Sequence, residues 1–246
     1  MIAAPTTALL GIGLYTVDEA ARYARLTPAS MKRWVWGSSK GAAIINPQLD
    51  PSEKLITFLD FVQMLAVRSV RVCEKSISVQ RIRKAHDSAR DRYNVTFPLA
   101  RQHKLFLFGP REKPTLCELV IRLNDIAEPS GEYVVLTGNT AGNRMISEIA
   151  EPFMMGLRYD GGELPIEYQA WPLGGKETDG RRIIISPHHS LGEPFLPSCG
   201  YTARALWDAV KSEGGIDHAA KVYDIDIEDV QLVYEYFDYL LGTDAA

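Results

Sequence analysis

Two helix starts placed close together near the N-terminus constrain this chain most. In Thr16-Val17-Asp18-Glu19, a threonine suited to cap a helix is followed, three residues on, by a glutamate that reaches back to the cap backbone. Val17, Ala20, Ala21 and Ala24 then fall on one face at helical spacing. That face is rich in alanine, so a second helix can approach it closely. After Arg25-Leu26, Thr27-Pro28 supplies the second start, a cap followed by proline in the first turn. In this second helix Met31, Trp34 and Val35 lie on one side, and Ala29, Lys32, Arg33 and Trp36 gather on the other. This is the pattern of a helix-turn-helix, with a cationic second helix suited to the major groove. Lys32 and Arg33 can neutralise phosphates, and Arg33 can also bind guanine O6 and N7 with two hydrogen bonds. Thr16, Thr27 and Ser30 can donate to phosphates at the helix starts. An ordinary antiparallel helix pair with solvated charges would show the same residues.

The turn Gly37-Ser38-Ser39-Lys40-Gly41 leads to two short β-like runs, 42–46 and 54–57, separated by Pro47 and Pro51. Together they are expected to form a hairpin wing with Lys40 near a phosphate. A buried helix begins near Phe58 and runs toward Val70, with Arg68 and Arg71 at the end where cations suit the helix dipole.

Charge supports a polyanion partner for this half of the chain. Residues 1–110 carry a net charge of +8 and residues 111–246 a net charge of −12. A basic half suggests nucleic acid, and an acidic half suggests a face turned elsewhere. Clustering of charge on solvated faces is the bland alternative.

The segment YTVDEAARYARLTPASMKRWVWG resembles the MerR-like winged helix. LITFLDFVQMLAVRSVR, followed by SISVQRIRKAHDSA, resembles the continuation found in large VapB-type antitoxins, which pair such a helix-turn-helix with a C-terminal domain of unknown function 433. The resemblance covers most of the chain and is weakest over 95–150. It implies a DNA-binding antitoxin of a type II toxin–antitoxin system, which represses its own operon and neutralises an RNase toxin of the PIN class.

Residues 78–93 read as a basic helix with the apolar stripe Val79, Ile82, Ala85 and Ala89, which closes the N-terminal core and adds some dimer contact. Strand candidates follow at 104–108 and 133–137, and 116–123 is either a strand or a short helical turn. Gly138-Asn139-Thr140-Ala141-Gly142-Asn143 reads as a plain loop, lacking the Gly-Lys-Ser/Thr ending of a phosphate-binding P-loop. Residues 157–160 and 165–171 read as a hairpin across Gly161-Gly162, and 181–186 as a third strand.

Gly200-Tyr201-Thr202-Ala203-Arg204-Ala205-Leu206 resembles the antitoxin family's Gly-x-x-Thr-x-x-Leu helix start, with Thr202 as cap. Helices are expected over 203–213, 216–223 and 228–241, the last capped by Asp226. They repeat a helix-turn-helix topology, but residues 183–246 carry a net charge of −8, which repels phosphate and suits protein contact. The departure from the family is Phe195-Leu196-Pro197-Ser198, where a hydrophobic-x-Gly-Thr turn is usual.

His188, His189 and Cys199 invite a nucleophile or a metal site. Adjacent histidines in an extended strand point to opposite faces, and no CxxC or HExxH spacing is present. The expectation is therefore no catalytic residue, no metal and no cofactor.

The expected fold class is α+β. Residues 1–103 would form the winged helix-turn-helix with its following basic helix. Residues 104–185 would form a small mixed α/β middle region with a β-hairpin, and 186–246 an acidic helical dimerisation or partner domain. The DNA-contacting set is Thr16, Thr27, Ser30, Lys32, Arg33, Trp36 and Lys40, acting on a double-stranded operator as a homodimer. No run approaches the ~18 apolar residues of a membrane span, and residues 1–13 lack the basic start of a secretory signal. Three widely spaced cysteines suit a reducing compartment, so the expected location is the cytoplasm. The alternative function is a stand-alone MerR-like transcriptional regulator that senses a small molecule, with Tyr159, Tyr168 and Trp171 near its pocket.

Overall fold

The structure is a computed structural model that describes residues 11–242, apart from Lys40, Glu74, Ser76, Gln102 and the segments 109–117, 124–133, 136–144, 149–154 and 176–178. Between 103 and 148 only strand backbone is described. The fold is α+β, with helices at both ends of the chain and antiparallel sheets between them.

A two-residue strand, β1 (Leu14–Tyr15), leads into α1 (Val17–Tyr23). Thr16 and Glu19 close the expected capping box, so the local sequence sets where α1 begins. α1 ends when Arg25 turns to φ +50 and the Leu26 N–H bonds back to the Ala21 carbonyl at 2.8 Å. α2 (Pro28–Trp36) follows directly. Ala20, Ala21 and Ala24 are buried where α1 meets α2, as the alanine-rich face requires.

The wing expected from 42–46 and 54–57 does not form. β2 (Ile56–Thr57) pairs antiparallel with β1, Leu14 opposite Thr57 and Tyr15 opposite Ile56. Residues 51–53 form a 3-10 turn and Lys54 is left-handed, so the chain swings away before it can pair with 42–46. Burial of Tyr15 and Ile56, at 2% and 0% exposure, accounts for the partner chosen.

α3 (Phe58–Cys73) is the axis of the molecule. Every residue from Phe61 to Val70 is buried, the signature of a helix surrounded on all sides. Arg68, near the end of the helix, is 7% exposed. α4 (Val79–Tyr93) is capped by the Ser78 hydroxyl, which accepts from the Arg81 N–H, and buries Ile82, Ala85 and Ala89 as expected of a helix that closes the core.

β3 (His103–Phe108), β4 (Glu118–Leu123), β5 (Val134–Val135) and β6 (Met145–Glu148) form one antiparallel sheet in the order β5-β4-β3-β6. Of the run 116–123, open between a strand and a short helical turn in the sequence, residues 118–123 are a strand. The loop at 138–143 lies outside the described residues. β7 (Leu157–Tyr159) and β8 (Pro165–Trp171) make the expected hairpin, and β9 (Ile183–Ile185) adds to β8.

The C-terminal helices are α5 (Ala203–Ser212), α6 (Ile216–Tyr223) and α7 (Ile227–Leu241). Thr202 caps α5 through the Ala205 N–H, as expected. Asp226 stands at the α7 cap but makes no side-chain cap bond. Its carboxylate accepts from Arg181 at 3.0 Å, a charge-assisted hydrogen bond. The helical pattern sets Ile216, Ala219 and Ala220 against Val230, Val233 and Phe237 as a small core; in the structure Ala219, Ala220 and Val230 form it together with Ala209, and Ile216 packs against it. Val233 and Phe237 instead join Leu206 and Tyr236 in the large cluster that also contains α1, α2, α3, β8 and β9. One core therefore links the N-terminal helices to the last one. None of the described helices is long and apolar enough to cross a membrane.

Candidate nucleic-acid interface

α2 presents its cations because its other face is anchored. Thr27 caps it, its Oγ1 accepting the Ser30 N–H at 3.1 Å and donating to the Ser30 hydroxyl at 3.0 Å. Met31, Trp34 and Val35 are buried, which fixes the rotation of the helix. Lys32 and Arg33 are left exposed. At Gly37 (φ +80) the chain turns back so tightly that an added Cβ would stand 2.8 Å from the Ala43 nitrogen. The Ile44 N–H then bonds to the Trp34 carbonyl at 2.7 Å, holding the following segment against α2.

Beside α2 opens a groove of about 430 Å³. Arg33 stands on one wall, Arg71 and Lys75 come from the end of α3 and the link after it, and Arg83 comes from α4. No carboxylate is among its described lining residues. Two of the four cations are fixed by backbone carbonyls. Arg71 Nη1 donates to the Lys75 carbonyl at 2.6 Å and also to that of Ile77. Arg83 Nε donates to the Ala43 carbonyl at 2.6 Å, and its Nη2 to the Ala42 carbonyl. Neutral acceptors leave the positive charge uncancelled while holding the planar guanidinium in one orientation. Lys75 is exposed.

The residues expected at DNA are only partly brought together. Lys32 and Arg33 share the exposed side of α2, and Thr27 and Ser30 lie at its start with their hydroxyls paired to each other. Thr16 is exposed, but its N–H and its hydroxyl both donate to the Glu19 carboxylate at 2.8 Å, so its donors are committed beside a negative charge. Trp36 packs against the core, and its indole N–H is buried. It supports α2 rather than offering a donor to a base. Lys40 lies outside the described residues. Arg71, Lys75 and Arg83 were not singled out from the sequence as DNA contacts. Their only sequence signal is the basic tally of the first half, since three separate segments converge on the groove.

The His189 ring stacks on Phe195 with centroids 3.7 Å apart, and burial pushes the Cys199 thiol up, away from the thiolate a nucleophile needs. Among the described residues no group of three or more His, Cys, Asp or Glu is placed to hold a metal ion.

The fold defines an α+β protein whose helical ends share one core, and the site is a cationic helix beside a cationic groove. No protein-family profile matches the chain, and no curated protein matches it. Among solved structures it is similar to the crystal structure of Rv2018 from Mycobacterium tuberculosis, with a TM-score of 0.60 at 16% identity. The match covers 92% of this chain and 99% of that one, so the likeness is one of whole fold.

Proposed function

We propose that this chain binds duplex DNA by laying α2, the second helix of a helix-turn-helix, into the major groove. It serves as the antitoxin and autorepressor of a type II toxin–antitoxin pair. The observation that carries the reading is the exposure of Lys32 and Arg33 on a helix locked from behind by Met31, Trp34 and Val35. A rigidly held cationic helix positions phosphate contacts and lets Arg33 read guanine. The antitoxin role rests on the resemblance of most of the chain, weakest over 95–150, to large VapB-type antitoxins. The acidic C-terminal helices would turn from the phosphates toward a protein partner, either a second copy or the PIN-class toxin. The protein works in the cytoplasm, without a cofactor.

Two measurements test this. Binding to the DNA upstream of the protein's own gene is followed against salt, for the protein and for Lys32→Ala/Arg33→Ala. Loss of the Lys32 phosphate contact lowers the salt slope by about 0.9, and by up to about 1.8 where Arg33 also neutralises a phosphate; an unchanged slope removes α2 from the DNA. Co-expression with the neighbouring reading frame, read by native mass spectrometry, tests the second half. A stable complex with a protein toxic on its own supports the antitoxin. A lone homodimer whose DNA affinity responds to a small molecule favours the regulator.

A further inference from the structure

The groove beside α2 has a property that the exposed helix lacks. Its cations converge on the start of another helix. Ser78, Val79 and Gln80, the cap and first two residues of α4, line it together with Arg33, Lys75 and Arg83. The first N–H groups of a helix have no partner within it, and they carry the positive end of the helix dipole. α4 has fifteen residues and no acidic side chain in its first turn, so no carboxylate of that turn offsets the charge. Helix start, cations and concave shape are the three components of a phosphate site.

We infer that this groove binds a phosphodiester of the DNA backbone flanking the segment read by α2. The inference rests on the DNA-binding reading above and adds a second line of contact to it. Lys75, exposed on the rim, neutralises the phosphate, and the Val79 and Gln80 N–H groups hydrogen-bond its oxygens. Arg83 acts indirectly, by tying residues 42 and 43 to α4 so that the two walls keep their spacing. Arg71 does the same for the link after α3, through the Lys75 and Ile77 carbonyls. The groove thus arrives preformed, and binding costs little ordering of its side chains. Such a contact carries no base information. It fixes how α2 lies along the duplex.

The test uses Lys75→Ala and Gln80→Glu, both at exposed positions, with Lys32→Ala as the α2 reference. Each full-length protein is titrated with the upstream duplex and with a scrambled duplex over a range of salt. Lys75→Ala is expected to weaken both duplexes equally and to lower the salt slope by about 0.9, the share of one phosphate. Gln80→Glu, which places a carboxylate against the helix start, is expected to weaken both at least tenfold. If both groove variants bind like the parent while Lys32→Ala binds more weakly, the groove site is overturned and the α2 reading survives. If the parent binds neither duplex, both fall. Inorganic pyrophosphate is titrated in parallel. Binding of pyrophosphate that Lys75→Ala abolishes, with DNA binding untouched by that change, overturns the backbone assignment in favour of a free phosphate ester.

Discussion

The guanidinium carbon of Arg25 lies 4.3 Å from the centre of the Tyr239 ring. Arg25 occupies the link between α1 and α2, and Tyr239 lies in α7, the last helix of the chain. The same ring packs on Trp171 of β8 at 4.8 Å. Residues far apart in sequence thus meet at the turn that sets the angle between the first two helices. A cation over an aromatic face contributes about 0.5–1 kcal/mol when partly exposed. Tyr239→Leu is expected to destabilise the protein by about 1 kcal/mol, and by less in an Arg25→Ala background. A double-mutant cycle in urea measures the coupling. Strict additivity would mean that the two residues touch without interacting.

Asp60 should make stability fall as pH rises. Burial pushes its carboxyl up from 3.8 to about 6, against the opposing pull of hydrogen bonds from the Gln48 backbone and Thr57. Below the ordinary value both folded and unfolded chains are protonated and stability is full. Between 3.8 and about 6 the unfolded chain ionises first, and the folded state loses on the order of 3 kcal/mol as pH rises through that window. Asp60→Asn keeps an oxygen for the Gln48 N–H and removes the ionisation. Urea midpoints measured from pH 4 to 7.5 should show a smaller decline in the variant than in the parent. Parallel pH curves would sink this assignment.

Gly192 cannot be alanine without displacing Tyr15. Its φ is +96, and an added Cβ would stand 2.3 Å from the Tyr15 hydroxyl oxygen and 2.7 Å from the ring carbon that bears it. Strained backbone and overpacking each cost about 1–3 kcal/mol. Gly192→Ala is expected to lower stability by more than 2 kcal/mol in thermal or urea unfolding. Tyr15→Phe in the same chain should recover only part of the loss, because the ring carbon stays. Full recovery would place the clash on the hydroxyl alone.

Arg181 and Asp229 form the partnership at the start of α7. Arg181 Nε lies 3.3 Å from Asp229 Oδ1, and the Ser198 hydroxyl donates to Asp229 Oδ2 at 2.9 Å. Asp229 is 3% exposed, so removing its partner strands a buried charge. Arg181→Leu is expected to lower the unfolding temperature, because it leaves a buried carboxylate without its guanidinium, with Asp229→Asn restoring much of the loss. Calorimetric unfolding of the single and double variants decides the matter. A mild effect of Arg181→Leu would mean that solvent already reaches the carboxylate.

Much of the fold was legible wherever the signal was local. The capping box at Thr16, the proline start of α2, the Thr202 cap and the hairpin across Gly161-Gly162 all depend on residues within a few positions of each other. The alternation of Met31, Trp34 and Val35 with Lys32 and Arg33 likewise placed the cationic face of α2 on the outside. The wing was misread because strand-like composition at 54–57 says nothing about which strand lies opposite. Asp226 stands at the expected cap of α7, but the partner of its carboxylate, Arg181, is remote in sequence and was not legible there.

The sequence by itself determined where helices begin, which of their sides are apolar, and that positive charge gathers in the first half of the chain. These follow from hydrogen bonds and side-chain periods that span one or two turns. Only the tertiary structure decided that β2 pairs with β1, that Arg25 meets Tyr239, and that Arg33, Lys75 and Arg83 converge on the start of α4. Each of these joins segments whose separation along the chain carries no periodic signal. Their meeting is set by how the apolar faces share one core around α3.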